Sequence, residues 1–164
     1  MLSIVGNMAG RGGIMVDIVA GTKDRIFEGG CHCGSVRFTL IGPLRKILVC
    51  HCDDCRRLTG SSWNATRAFG DNMTIADDST LSWYDSSPWA RRGFCNKCGS
   101  HMFYQLKNET EMSVGVGMLD DSAGMEVAGQ IFANSHPEWG PLDCSKIANM
   151  DDELLAQYDV KPDR

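Results

Sequence analysis

The sequence predicts a mainly β fold, with many short strands and little helix, organised around clustered cysteines. Apolar and polar residues alternate in short runs, as with Val36, Phe38 and Leu40 against Arg37 and Thr39, the pattern of a half-buried strand. Turn-forming stretches such as Gly42-Pro43, Gly70-Asp71-Asn72 and Leu119 to Gly124 divide these runs. Seven of the eight cysteines fall in three tight groups: Cys31-His32-Cys33, Cys50-His51-Cys52-Asp53-Asp54-Cys55 and Cys95-Asn96-Lys97-Cys98.

Residues 1–24 are rich in Gly and Met, show no period and read as an N-terminal tail, ahead of a single zinc domain expected over 25–164. The stretch from Met1 to Ala20 is broken by Gly10, Arg11, Gly12, Gly13 and Asp17, unlike the apolar block of a signal peptide, so a cytoplasmic location is expected. In a reducing compartment, clustered cysteines read as metal ligands or catalytic thiols rather than disulfides.

The strand signal sharpens from Phe27. In extended backbone residues i and i+2 point the same way, so Cys31 and Cys33 can offer both sulfurs to one metal while His32 turns to the other side. Gly42-Pro43 ends this segment, and Lys46 to Val49 begins a strand that carries Cys50 and Cys52 to one side and His51 to the other. Asp53-Asp54 is expected to turn the chain and bring Cys55 back to the same point. Arg56 and Arg57 come next, either as solvated surface charge or as a bidentate grip on a substrate carboxylate.

Further strands are expected at Ser61–Phe69, Thr80–Tyr84, His101–Leu106, Glu111–Val116 and Met125–Phe132. Between them, Cys95-Asn96-Lys97-Cys98-Gly99 has the form of a zinc knuckle, whose tight turn aims both sulfurs at a metal. A thioredoxin-like redox motif would need a βαβ setting, whereas strand-like sequence follows here. His136, in the loop Ser135 to Trp139, is either an exposed histidine or a proton-transfer or substrate group. Cys144 stands apart, as a packing thiol or as a fourth ligand that closes a metal site. Asp151 to Tyr158 fits a short C-terminal helix with acidic residues in its first turn.

Cysteine thiolate is a ligand that Zn²⁺ favours, and a closed structural site takes four ligands in a tetrahedron. Seven ligands divide naturally into four and three, and three protein ligands with one open position make a reactive zinc. The bulk properties bound the rest. A chain of 164 residues with 43% hydrophobic and 23% charged residues can bury one substantial core. Its net charge of -5 and lack of a basic stripe argue against nucleic acid as the main partner. No run reaches the ~18 apolar residues of a membrane span.

The segments Gly30-Cys31-His32-Cys33-Gly34, Cys50 to Arg57 and Phe94-Cys95-Asn96-Lys97-Cys98-Gly99-Ser100 resemble the glutathione-dependent formaldehyde-activating enzyme (GFA/CENP-V) family. The Leu119-Asp120-Asp121 turn and the segment His136 to Trp139 also resemble it, so the likeness runs over roughly residues 27 to 145. The resemblance implies antiparallel sheets of the β-tent type and two zinc ions per chain. Carried over by position, Cys31, Cys33, Cys95 and Cys98 would hold a structural zinc, and Cys50, Cys52 and Cys55 a catalytic one. It further implies carbon–sulfur lyase chemistry on an adduct of formaldehyde with glutathione or another thiol. A competing expectation is a non-catalytic module in which both zincs staple a protein-binding surface.

Overall fold

The computed structural model describes residues 24–69, 71–135 and 137–139. The expectations for the N-terminal tail, His136, Cys144 and the helix at 151–158 lie outside these residues. In chain order the strands are β1 (Ile26–Gly30), β2 (Arg37–Ile41), β3 (Ile47–Cys50), β4 (Trp63–Arg67), β5 (Met73–Asp77), β6 (Leu81–Ser87), β7 (Ala90–Cys95), β8 (His101–Leu106), β9 (Met112–Gly115) and β10 (Val127–Ile131). A single α-helix among the described residues, α1 (Asp53–Thr59), lies between β3 and β4. The protein is mainly β, as its sequence predicts.

The strands form two sheets, one ordered β1-β2-β5 and the other β10-β3-β4-β9-β8-β7-β6. All pairings are antiparallel except that of β10 with β3. Period-two patterning builds the interface between the sheets. Val36, just before β2, and Phe38 and Leu40 within it are buried, while Arg37 and Thr39 are only partly covered. Phe38 meets Phe103 of β8 edge to face, with ring centroids 5.5 Å apart, and Phe103 stacks on Trp83 of β6 at 6.0 Å. Phe27, Leu44, Met102 and Val114 complete this core. Burying each large side chain of this kind contributes about 2–3 kcal/mol before the entropy of ordering it.

Alternation also furnishes the opposite face of the large sheet. Phe103 belongs to the inter-sheet core, whereas its neighbour Tyr104 packs with Cys50, Cys55, Trp63 and Ala65 in a second apolar cluster. One sheet therefore carries the stabilising core on one side and a cysteine site on the other.

Two local expectations change. Asp53-Asp54 is not an isolated turn but the first turn of α1, which Cys52 caps by accepting a hydrogen bond from the Cys55 N–H at 3.4 Å. Acidic residues suit that position, and Gly60 at φ 76 ends the helix in the left-handed conformation open to glycine. The strand β5 falls between Gly70 and Thr80, a stretch in which the sequence predicts no strand. It pairs with β2, placing Ile75 opposite Phe38, and its signal is short: Met73 and Ile75 are its two large apolar residues.

Candidate functional site

The structure draws the seven clustered cysteines into two groups, Cys31, Cys33, Cys95 and Cys98 in one and Cys50, Cys52 and Cys55 in the other. Within each group the sulfurs all lie within 4.8 Å of one another. Four sulfurs about 2.3 Å from one zinc stand about 3.8 Å apart in a tetrahedron, so this spacing fits a shared ion. Both groups can hold a metal.

The four-cysteine group joins two turns. Cys31 and Cys33 lie in the turn between β1 and β2, closed by hydrogen bonds from the Gly34 N–H to the Cys31 carbonyl and from the Cys31 N–H to the Val36 carbonyl, both at 3.0 Å. The i, i+2 spacing thus works through a turn and not, as the alternation argument had it, through extended strand. Cys95 ends β7, and the Gly99 N–H closes the knuckle onto the Cys95 carbonyl at 2.8 Å, with Gly99 at φ 79. The Cys31 and Cys33 sulfurs are 3.5 Å apart, and those of Cys33 and Cys95 3.9 Å. Hydrogen bonding with Ser100 lowers the Cys98 thiol to about 5, and Ser35 lowers Cys33, while burial raises Cys31. His32 is exposed and stands outside the group.

The three-cysteine group forms where β3 meets α1. Cys50 is the last residue of β3, Cys52 the helix cap, and Cys55 a buried residue of the first helical turn. The Cys50 and Cys52 sulfurs are 3.5 Å apart. Hydrogen bonding with Cys55 holds the Cys50 thiol low, while the same interaction and burial push Cys55 up, so Cys50 is the readier thiolate. His51 points elsewhere: it is buried, and its Nε2 lies 3.0 Å from the Gln130 Oε1 on β10.

A cavity of about 380 Å³ opens beside this second group, lined by Cys50, Cys52 and Cys55 together with residues of β3, β4, β7, β8 and β10. Leu48, Trp63, Tyr104 and Ile131 supply apolar wall, and Trp89 and Phe132 stand exposed at its edge. Cys31, Cys33, Cys95 and Cys98 do not border it.

The cationic residues bordering this space are Arg45 and Arg92. Arg45 donates to the Ala65 carbonyl at 3.0 Å, and burial, with help from the charge of Arg67, brings its pKa down to about 10. Arg92 is only 4% exposed. Its two terminal nitrogens lie 3.9 and 3.8 Å from the Cys55 sulfur, and one of them 3.4 Å from the His101 Nε2. The guanidinium lies 5.0 Å from the Tyr104 ring centre. Burial and the Arg92 charge hold His101 neutral, with a pKa of about 4.

Arg56 and Arg57 occupy the solvent side of α1. Arg56 pairs with Asp53 at 3.1 Å, Arg57 is exposed, and neither borders the cavity. Sequence reasoning missed Arg92 and Tyr104, which face each other across β7 and β8. The signal was present in register: Arg92 and Phe94 alternate with Arg91 and Gly93, but nothing local distinguishes a buried arginine from its partly covered neighbour Arg91.

Comparison with known proteins places these features in a family. Residues 26–135 match the family described as glutathione-dependent formaldehyde-activating enzyme. An uncharacterised lyase of Schizosaccharomyces pombe is 28% identical over 82 residues, covering 50% of this chain and 59% of that protein. A putative glutathione-dependent formaldehyde-activating enzyme of Halomonas elongata is 31% identical over 87 residues, covering 48% of this chain and 55% of its own length. A Rhodobacter sphaeroides protein of known crystal structure shares the fold, with a TM-score of 0.51 at 24% identity over 63% of this chain and 98% of that one.

Proposed function

The chain belongs to the glutathione-dependent formaldehyde-activating enzyme family, and from that premise we propose that it is a zinc-dependent enzyme of the carbon–sulfur lyase type. Its substrate is the adduct of an aldehyde with glutathione or another small thiol. Two zinc ions are assigned per chain, one held as a structural staple by Cys31, Cys33, Cys95 and Cys98, the other by Cys50, Cys52 and Cys55 as the catalytic ion. One observation carries this division: the three-cysteine group borders the cavity and the four-cysteine group does not.

Bound zinc supplies positive charge that favours the thiolate form of a sulfur placed beside it. The chain's own residues then act on the substrate. Leu48, Trp63 and Ile131 exclude water from the cavity's apolar wall. Burial raises the pKa of Tyr104, so its phenol keeps its proton and can donate a hydrogen bond to the oxygen of the aldehyde or adduct. In the lyase direction the carbon–sulfur bond breaks with its electron pair left on sulfur, the carbonyl forms, and the adduct's hydroxyl proton leaves to a base. His136 is the candidate for that proton. Arg56 and Arg57, outside the cavity, would draw substrate carboxylates toward it from solution.

The test measures zinc per chain, folding and turnover of the glutathione–formaldehyde adduct together. Wild type should carry about two zincs and keep them in Cys144→Ser. Cys52→Ala should lose one zinc and turnover by at least about 100-fold, at a stability cost of about 1 kcal/mol from the lost helix cap. Cys98→Ala should lose the other zinc and be destabilised far more, with a Tm lower by at least about 10 °C. A folded Cys52→Ala protein that still turns over would overturn the assignment, as would destabilisation equal to that of Cys98→Ala. Zinc falling to about one in Cys144→Ser would mean a closed four-cysteine second site and favour the protein-binding alternative.

A further inference from the structure

Arg92 carries a guanidinium charge, yet it is 4% exposed, and among the described residues it has no carboxylate partner. Its Nε is buried without a hydrogen-bond acceptor. Such burial is costly unless another charge compensates it. Its surroundings are the Cys55 sulfur, the neutral His101 ring and the faces of Tyr104 and Trp63, with ring centres 5.0 and 6.0 Å away. The aromatic faces supply partial compensation. Asp54 also borders the cavity but forms no ion pair with Arg92, so the nearest candidate counter-charge is the cysteine group itself.

We propose that Arg92 is a positioning residue that sets the charge of the three-cysteine site, so that its open position accepts an anionic sulfur ligand in preference to a neutral one. The inference rests on the reading that this group holds a divalent metal. Three thiolates and one divalent ion carry a net charge of −1, and a fourth thiolate brings it to −2. Around the four-cysteine group, where Cys33 is exposed, water screens such a charge. Beside a cavity walled by Trp63, Tyr104 and Ile131, screening is weaker and the second negative charge needs a fixed partner. Arg92 provides it through two N–H···S contacts, which also hold Cys55 in place. It acts through Cys55 and not by contact with the carbon that reacts.

The experiment titrates the full-length cobalt(II)-loaded protein with 2-mercaptoethanol and, separately, with imidazole, following the visible absorption bands. Wild type should bind the thiol with growth of the sulfur-to-cobalt band. In Arg92→Met the ratio of thiol to imidazole affinity should fall at least about tenfold, and Arg92→Lys, which keeps the charge, should restore most of it. Arg92→Gln gives the same reading should the Met variant not fold. An unchanged ratio in a folded neutral variant, or a loss in Arg92→Lys equal to that in Arg92→Met, overturns the role of charge. Failure of wild type to give any thiol-induced band overturns the metal-site reading, and this inference with it.

Discussion

At the scale of single residues, chemistry here depends on which side of a strand a group occupies. Phe103 and Tyr104 are neighbours in the chain, yet one fills the inter-sheet core and the other lines the cavity. His101 shows the energetic consequence of such placement. Burial first, and Arg92 second, depress its pKa from 6.5 to about 4. A half-buried histidine held neutral must be charged on unfolding in acid, so its contribution to stability is complete above about pH 6.5 and is lost as the pH falls toward 4. Over that interval wild type should lose stability relative to His101→Gln, measured by denaturant unfolding of both zinc-loaded proteins. A constant difference between them would mean that His101 is not held neutral in the fold.

Whole elements deliver the ligands. The turn between β1 and β2, the knuckle between β7 and β8, and the junction of β3 with α1 each present cysteines at fixed spacing because local hydrogen bonds close them. β1 also approaches its neighbours closely. A Cβ at Gly29 would lie 2.4 Å from the Met118 carbonyl oxygen and 2.4 Å from the Phe38 ring, one of them backbone and the other fully buried. Neither can move aside cheaply. Gly29→Ala should therefore destabilise the protein by about 1–3 kcal/mol, read as a lower denaturation midpoint with an unchanged slope. Gly34, whose added Cβ would meet nothing, has a positive φ instead, so its reason for being glycine is conformational.

The four-cysteine group is a connection at the scale of the whole molecule. Cys31 and Cys33 come from the turn of the three-stranded sheet, and Cys95 and Cys98 from a turn of the seven-stranded sheet. A metal held there would clasp the sheets at one end of the core that Phe38 and Phe103 build. Removing metal with a strong chelator under reducing conditions should lower the Tm by at least about 10 °C, since structural zinc contributes several kcal/mol or more of folding energy. Cys98→Ala should reproduce the loss without chelator. Equal thermal stability of the metal-free and metal-loaded proteins would rule out a staple.

By itself the sequence determined the mainly β class, most of the strands and the spacing of the cysteines within each cluster, because these are local properties. Period two needs only a few residues to declare itself, and ligand spacing within a turn is independent of the rest of the chain. Where local signal was short it failed: β5 offers Met73 and Ile75 alone, and the two aspartates that suggest a turn equally begin the capped helix α1. Tertiary structure decided which cysteine group opens on a cavity, and that Arg92, not Arg56 or Arg57, stands beside it. The reason is physical. Burial of a charge and the shape of an open space are sums over β3, β4, β7, β8, β10 and α1 at once, and no segment of the chain encodes them alone.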